Sequence, residues 1–232
     1  MKDLTFLTSS LIAHRGLHND KIGENTIVSF EKAISKGYII EFDVRLTKDN
    51  EVIIYHDNNL KRLTGINKEV SDLNYSEIKK ITLKTGEHIP TLKEALKVIN
   101  GKVPILIELK VDGHVGQLEK EVIKYLDNYN GKFAIQSFNP LSLYWFKKNR
   151  KNYIRGQLVT LEYNINFIAN IICKHMILNP ITKPDFISSN IKRLPNQRLR
   201  NKYILIGWTV KNKQQLDKYK NCCDNLIVDG IL

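Results

Sequence analysis

Cysteine is scarce in this 232-residue chain: only Cys173, Cys222 and Cys223 are present. An odd count with two adjacent thiols makes a poor disulfide framework, and with no Cys-x-x-Cys spacing there is no thiolate zinc site or thioredoxin-type motif. Proline (6) and glycine (12) are too few for a collagenous or low-complexity chain, and no stretch is rich enough in either to act as an interdomain linker. Long apolar runs are missing as well. Nothing approaches the roughly 18 residues of a membrane span. The amino terminus, Met1 to Leu7, carries Asp3 and meets Thr8-Ser9-Ser10 before a secretory core can form. These absences lead to the expectation of reduced thiols and a cytoplasmic protein. What is present, 42% hydrophobic and 26% charged residues, is ordinary for a globular chain. The length suits one α/β barrel domain over 1–232.

Acidic residues are outnumbered, 24 against 36 Lys and Arg, for a formal charge of +12. Such a balance invites a nucleic-acid reading, but Lys is spread through the whole chain and no recognition motif accompanies it. The densest cluster, Lys147-Lys148-Asn149-Arg150-Lys151, follows an apolar helical stretch, where cations suit a helix carboxyl end. No nucleic-acid partner is expected. A positive field does favour a small anionic substrate.

Apolar runs alternate with helix-like segments. The runs are Leu11–Ala13, Tyr38–Val44, Val103–Leu109, Phe133–Gln136, Tyr153–Val159, Asp185–Ser188, Tyr203–Val210 and Asn225–Val228. Helical patterns cover Thr26–Lys36, Thr91–Ile99, Gln117–Tyr129, Leu141–Lys147 and Lys213–Tyr219. This alternation predicts a parallel sheet, and eight strands fit a TIM (β/α)8 barrel, although an open doubly wound sheet has the same local pattern. One segment departs from it. Glu41–Thr47 is followed, after only Lys48-Asp49-Asn50, by Glu51–Asp57, a gap too short for a helical crossover. An antiparallel hairpin turning at Asp49-Asn50 is predicted, which brings His56 back beside Phe42 and Asp43.

Residues at the carboxyl ends of barrel strands face the active-site mouth. Those ends read His14-Arg15-Gly16, Glu41 with Asp43, Glu108 with Lys110, Gln136-Ser137-Phe138, and Trp208. Glu41 and Asp43 are two apart and share a strand face, as do Glu108 and Lys110. Singly, each has a plain reading: an acid at a strand end is usually solvated or salt-bridged, and Lys110 could simply neutralise Glu108. Together, three carboxylates in otherwise apolar strands are costly unless compensated. A hard divalent cation compensates them, and oxygen-only ligands indicate Mg2+ or Ca2+ rather than zinc. Arg and Lys suit a phosphate, and two histidines suit acid–base work near neutral pH.

In order and spacing, these blocks resemble the glycerophosphodiester phosphodiesterase family over nearly the full length. The matching segments are Ala13-His14-Arg15-Gly16, Glu24-Asn25-Thr26, Glu41-Phe42-Asp43-Val44, Val52 to His56-Asp57, Ile89-Pro90-Thr91-Leu92-Lys93-Glu94, Ile107-Glu108-Leu109-Lys110, Gln136-Ser137-Phe138 and Gly207-Trp208-Thr209-Val210. The resemblance implies a (β/α)8 barrel hydrolysing glycerophosphodiesters to sn-glycerol 3-phosphate and an alcohol. It implies a divalent metal on Glu41, Asp43 and Glu108, a catalytic pair His14 and His56, and a phosphate held by Arg15 and Lys110. Gln136, Phe138 and Trp208 are candidates for the substrate pocket.

Only Asn58–Gly86 separates the His-Asp motif from Ile89-Pro90-Thr91, so the cap is expected to be small. Two departures, Val228-Asp229-Gly230 for the usual Thr-Asp and a following Pro, and Lys211 for the usual Asn, fall where the alcohol or glycerol end would be read. The alternative activity is a lysophospholipase D acting on lysophospholipids. Thr26 or Asn25 is expected to cap the first helix, which makes the Glu24-Asn25-Thr26 block structural, and His18, His88, His114 and His175 are expected at the surface. Oligomeric state has no signature in the sequence.

Overall fold

The computed structural model describes residues 2–111, 114–161 and 167–230. Among the described residues, nine strands run in chain order: β1 (Ile12–His14), β2 (Ile39–Leu46), β3 (Val52–Ile54), β4 (Ile105–Leu109), β5 (Phe133–Ser137), β6 (Ile154–Val159), β7 (Phe186–Asn190), β8 (Ile204–Val210) and β9 (Asn225–Val228). Eight of them pair in parallel and close into a ring, β1–β2–β4–β5–β6–β7–β8–β9, with β9 returning to β1. The barrel expected from the alternation is therefore the fold found. The extra strand β3 lies outside the ring, antiparallel to β2, with Val44 opposite Ile54 and Leu46 opposite Val52.

The period of two along each strand organises the barrel interior. Ile12, Ile39, Leu106, Ala134, Phe186, Ile206 and Ile227 form one buried cluster, with Phe6 and Leu7 packed into it. Each fully buried aliphatic side chain contributes about 1.5–3 kcal/mol, so this plug anchors the ring. No larger side chain fits at Gly156, where a Cβ would collide with the Phe186 ring. Two residues further along the same seven strands come His14, Glu41, Glu108, Gln136, Ser188, Trp208 and Asp229. The side-chain alternation that buries the apolar layer thus carries the next layer to the mouth.

Outside the ring, Ile27–Ser35, Leu92–Ile99, Gln117–Leu126 and Pro140–Asn149 cover β1, β2, β4 and β5. Their starts are set by local chemistry. Thr26 accepts from Ser29 N (3.2 Å), Thr91 and Glu94 cap each other's backbone N–H (2.8 and 3.1 Å), and Asn139 precedes Pro140 at the first helical position. The helix expected over Gln117–Tyr129 ends at Leu126, and the Lys147–Arg150 cluster does close a helix. A helix not anticipated, Phe167–Lys174, lies between β6 and β7. None of its side chains is buried. The small cap consists of short helical turns, Lys61–Thr64 and Tyr75–Ile78, over their own cluster of Ile53, Tyr55, Leu60, Val70, Ile78 and Ile89. Among the described residues, no helix is long and apolar enough to cross a membrane.

Candidate active site

The mouth of the barrel opens into a cavity of about 590 Å3 whose lining includes His14, Arg15, Glu41, His56, Glu108 and Lys110. Parallel pairing sets Asp43 opposite Glu108, and His14 opposite Glu41. Oxygens of Glu41, Asp43 and Glu108 all lie within 4.8 Å of one another, and all three residues are buried. Two cations lean on this trio. Arg15 Nε is 3.3 Å from Asp43 Oδ2, and Lys110 Nζ is 3.1 Å from Asp43 Oδ1 and contacts Glu108 Oε1. The backbone N–H of Arg15 donates to Glu41 (3.2 Å), a reach made with Arg15 at φ 55° and Gly16 at φ 78°. Gly16 admits no side chain, since a Cβ there would strike Ser29.

Three negative charges against two positive ones leave the cluster one charge short of neutrality, in a buried setting where this is expensive. Burial pushes the Glu41 carboxyl well up, and the neighbouring Asp43 and Glu108 add to the shift. Burial acts on Asp43 in the same direction but is outweighed by Lys110 and Arg15, so its carboxyl falls below the usual range. The donor set is oxygen alone, buried and electron-rich, which fits a hard divalent cation.

The hairpin register agrees with the count from the turn. The Tyr55 N–H donates to the Asp43 carbonyl (3.0 Å), and His56 follows at the mouth. Arg45 holds that position by donating from Nε and Nη2 to the His56 carbonyl (2.8 and 2.6 Å). The Nδ1 of His56 is 2.6 Å from Asp57, and the Nδ1 of His14 is 3.4 Å from Asp229. Each catalytic candidate thus has one ring nitrogen beside a carboxylate and the other left for chemistry. Burial lowers both imidazoles, His56 to about 4 against the pull of Asp43, and His14 against that of Asp229.

Several participants escaped the sequence reading. His18, expected at the surface, is only partly exposed and places Nε2 2.9 Å from Asp229 Oδ1, so one carboxylate faces two imidazoles. Asp229, expected near the glycerol or alcohol end, therefore backs His14. Its place two residues beyond the plug residue Ile227 was the available signal. The Glu24-Asn25-Thr26 block is more than a helix cap. Asn25 donates to Asp43 (2.9 Å), while Glu24 joins Arg15 (2.6 Å) to Arg62 (2.7 Å), which reaches Asp57 (2.5 Å). An alternating chain of charges thereby connects His56 to Asp43 across the mouth.

The pocket candidates also converge. Phe138 and Trp208 meet edge to face at 5.6 Å on the cavity wall, and Lys110 lies 5.9 Å from the Phe138 centroid. Gln136 is spent on support: Nε2 approaches Glu41 (3.5 Å), and Oε1 accepts from Ser188 (2.7 Å). Trp208 Nε1 in turn donates to the Ser188 carbonyl (3.0 Å). His88, His114 and His175 are exposed, as expected.

A parallel barrel with a buried carboxylate trio, two cations and two carboxylate-facing imidazoles at its mouth belongs with the enzymes that cut phosphoric diesters. Comparison narrows the class: residues 14–232 match the Glycerophosphoryl diester phosphodiesterase family, and the chain belongs to it. The glycerophosphodiester phosphodiesterase of Caldanaerobacter subterraneus is 31% identical over 94% of this chain and 93% of that protein. Human lysophospholipase D is 35% identical over 53% of this chain and 42% of its own length. An Oleispira antarctica phosphodiesterase, solved with its product sn-glycerol-3-phosphate, superposes with a TM-score of 0.83 at 21% identity, covering 97% and 94% of the two chains. The chain is an enzyme of the glycerophosphodiester phosphodiesterase class.

Proposed function

We propose that this enzyme hydrolyses glycerophosphodiesters to sn-glycerol 3-phosphate and an alcohol, using one divalent cation, Mg2+ or Ca2+, held by Glu41, Asp43 and Glu108. The observation that carries the reading is the buried carboxylate trio, one charge in excess of its Arg15 and Lys110 partners. The product named for the Oleispira antarctica neighbour, a protein of the same fold, supports the product assignment. When bound, such an ion supplies Lewis-acid polarisation of a phosphate oxygen and of the adjacent glycerol hydroxyl.

Arg15 and Lys110 hold the phosphate and stabilise charge gathering on its oxygens. His14, with Nδ1 facing Asp229, takes the proton of the glycerol 2-hydroxyl as that oxygen attacks phosphorus. His56, with Nδ1 on Asp57, gives a proton to the departing alcohol as the P–O bond breaks. Water then opens the cyclic phosphate with the two roles exchanged. Burial leaves both imidazoles neutral in the free enzyme, which suits the base. The phosphodiester anion, by drawing on the Arg15 and Lys110 charges that depress His56, favours its protonated form. Phe138 and Trp208 form the apolar wall against which the alcohol rests.

The test is chelation. EDTA should abolish turnover of glycerophosphocholine and Mg2+ or Ca2+ should restore it, whereas full activity in metal-free buffer would refute the cation assignment. Ion binding also has a readout apart from activity. Saturating ion should raise the melting temperature by about 5–10 °C, from roughly 2.7 kcal/mol at a hundredfold excess over Kd, and Glu41→Gln should remove that rise.

A second reading, a lysophospholipase D, is favoured by the match to the human enzyme of that activity. It keeps the same chemistry and differs in the alcohol side of the cavity. Turnover of lysophosphatidylcholine exceeding that of glycerophosphocholine would select it.

A further inference from the structure

Charge and exposed apolar surface coincide in one sector of the barrel. Residues 141–216 contain fourteen Lys and Arg against two acids, Glu162 and Asp185, while the rest of the chain carries 22 of each sign. The whole +12 therefore belongs to the stretch that builds β6, β7, β8 and their connections. Arg150, Arg155 and Arg200 are engaged with Asp127, Asp185 and Asp224. Among the exposed lysines, Lys192 and Lys211 line the cavity at the mouth ends of β7 and β8, whereas Lys148, Lys151, Lys183 and Lys202 precede β6, β7 and β8 at the opposite end of the barrel.

The same sector holds most of the exposed large apolar side chains among the described residues: Leu161, Phe167, Ile168, Ile171, Ile177 and Ile181, with Phe167 at 77% and Ile168 at 70% exposure. Phe167, Ile168 and Ile171 share one face of the helix Phe167–Lys174, which buries none of its own residues. Clustered exposure of this kind in a water-facing helix marks a contact surface. The helix is tied to the mouth of the barrel. Arg193 donates to the carbonyls of Thr160 (2.9 Å) and Lys174 (3.1 Å), and the adjoining Asn190, Ile191 and Lys192 line the cavity.

We propose that this sector docks the enzyme on an anionic lipid surface, with Phe167, Ile168 and Ile171 entering the headgroup boundary and the exposed Lys192 and Lys211 of the adjoining cavity rim meeting lipid phosphates. An exposed apolar helical face beside a lysine-bearing rim is the pattern of an interfacial helix. Each lysine near such a surface adds attraction that weakens with salt. A nucleic-acid strand would meet the same lysines but gives no use to a row of exposed isoleucines. Docking here sets the cavity rim beside the bilayer, so the inference deepens the hydrolase reading above and rests on it for its consequence: substrates carrying an acyl chain, such as lysophospholipids, reach the mouth from the membrane.

Sedimentation with vesicles tests it. The full chain should bind phosphatidylglycerol–phosphatidylcholine vesicles, bind pure phosphatidylcholine at least fivefold more weakly, and lose most binding at 0.5 M NaCl, for which roughly a 4 Å Debye length leaves little long-range attraction. Phe167→Ser combined with Ile168→Ser should reduce vesicle binding at least fivefold, and Lys192→Glu with Lys211→Glu should do the same. The first double variant should hydrolyse soluble glycerophosphocholine at the wild-type rate, which also establishes that it folds, while its turnover of lysophospholipid in anionic mixed micelles falls. Absence of vesicle binding, equal binding to neutral vesicles, indifference to both double substitutions, or tighter binding to DNA lost on the same lysine reversals would each overturn the proposal. If vesicle binding follows this pattern but wild-type protein turns over neither substrate, the hydrolase reading fails and the docking surface stands.

Discussion

The two halves of the barrel mouth are built differently. On the β1–β4 side nearly every polar group is engaged: Arg15 with Glu24 and Asp43, Asn25 with Asp43, Lys110 with Asp43 and Glu108, His56 with Asp57, and Arg62 with Glu24 and Asp57. On the β6–β8 side the cavity is lined by Leu158, Asn190, Ile191, Lys192, Trp208 and Lys211, and the exposed apolar helix lies beyond them. Interlocked charges hold a geometry to the tolerance that proton and phosphoryl transfer require. A wall of apolar and long flexible side chains can change without disturbing that geometry. In the proposed reaction, chemistry falls to the first half and recognition of the alcohol to the second.

Substitutions can break this division at either end. The largest effect is expected on the networked side: His14→Ala and His56→Ala should each lower kcat about 10²–10⁴-fold, the range for a general acid or base. A loss below tenfold for either, measured at saturating glycerophosphocholine, would remove it from the chemistry. Next come the carboxylates behind the rings. Asp229→Asn and Asp57→Asn should cut kcat by about tenfold to a hundredfold through misorientation, with KM little changed, and their kcat–pH profiles should move whereas a purely structural lesion would leave them in place. Across the cavity, Trp208→Ala should alter the ratio of kcat/KM for glycerophosphocholine and glycerophosphoethanolamine by no more than about tenfold, consistent with one changed apolar contact. A loss of rate common to all substrates would mean that Trp208 serves the chemistry after all. The smallest effect concerns stability alone. Thr91→Ala removes a capping box in the first half and should cost about 1 kcal/mol, or roughly 2–4 °C in Tm, while Phe167→Ser in the second half should stay within about 0.5 kcal/mol.

The sequence displayed the fold unusually well because the apolar runs are short, separated by helices, and interrupted by acids at strand ends. Eight such runs became the eight ring strands. The hairpin was legible for a geometric reason, since three residues between two strands leave no other connection, and its register followed from the position of the turn. Helix Phe167–Lys174 was not legible. Its apolar residues Phe167, Ile168, Ile171 and Ile172 recur at helical spacing, but over only eight residues that bury no side chain, which is shorter than the window in which periodicity separates a helix from other structure. Asp229 and His18 were hidden for another reason: they lie 211 positions apart along the chain, and only ring closure between β9 and β1 brings them together.

By itself the sequence determined which residues could carry chemistry and which face of each strand they would share, because a period of two follows from backbone geometry alone. Closure of the ring decided the rest. It brought Asp43 opposite Glu108, stationed Asp229 behind His14, and linked Asp57 through Arg62 and Glu24 to Arg15. It also set the exposed helix Phe167–Lys174 beside the cavity rim, through Arg193. Contacts between distant segments depend on shear and register around the whole barrel, and those are properties of the packed ring that no single segment encodes.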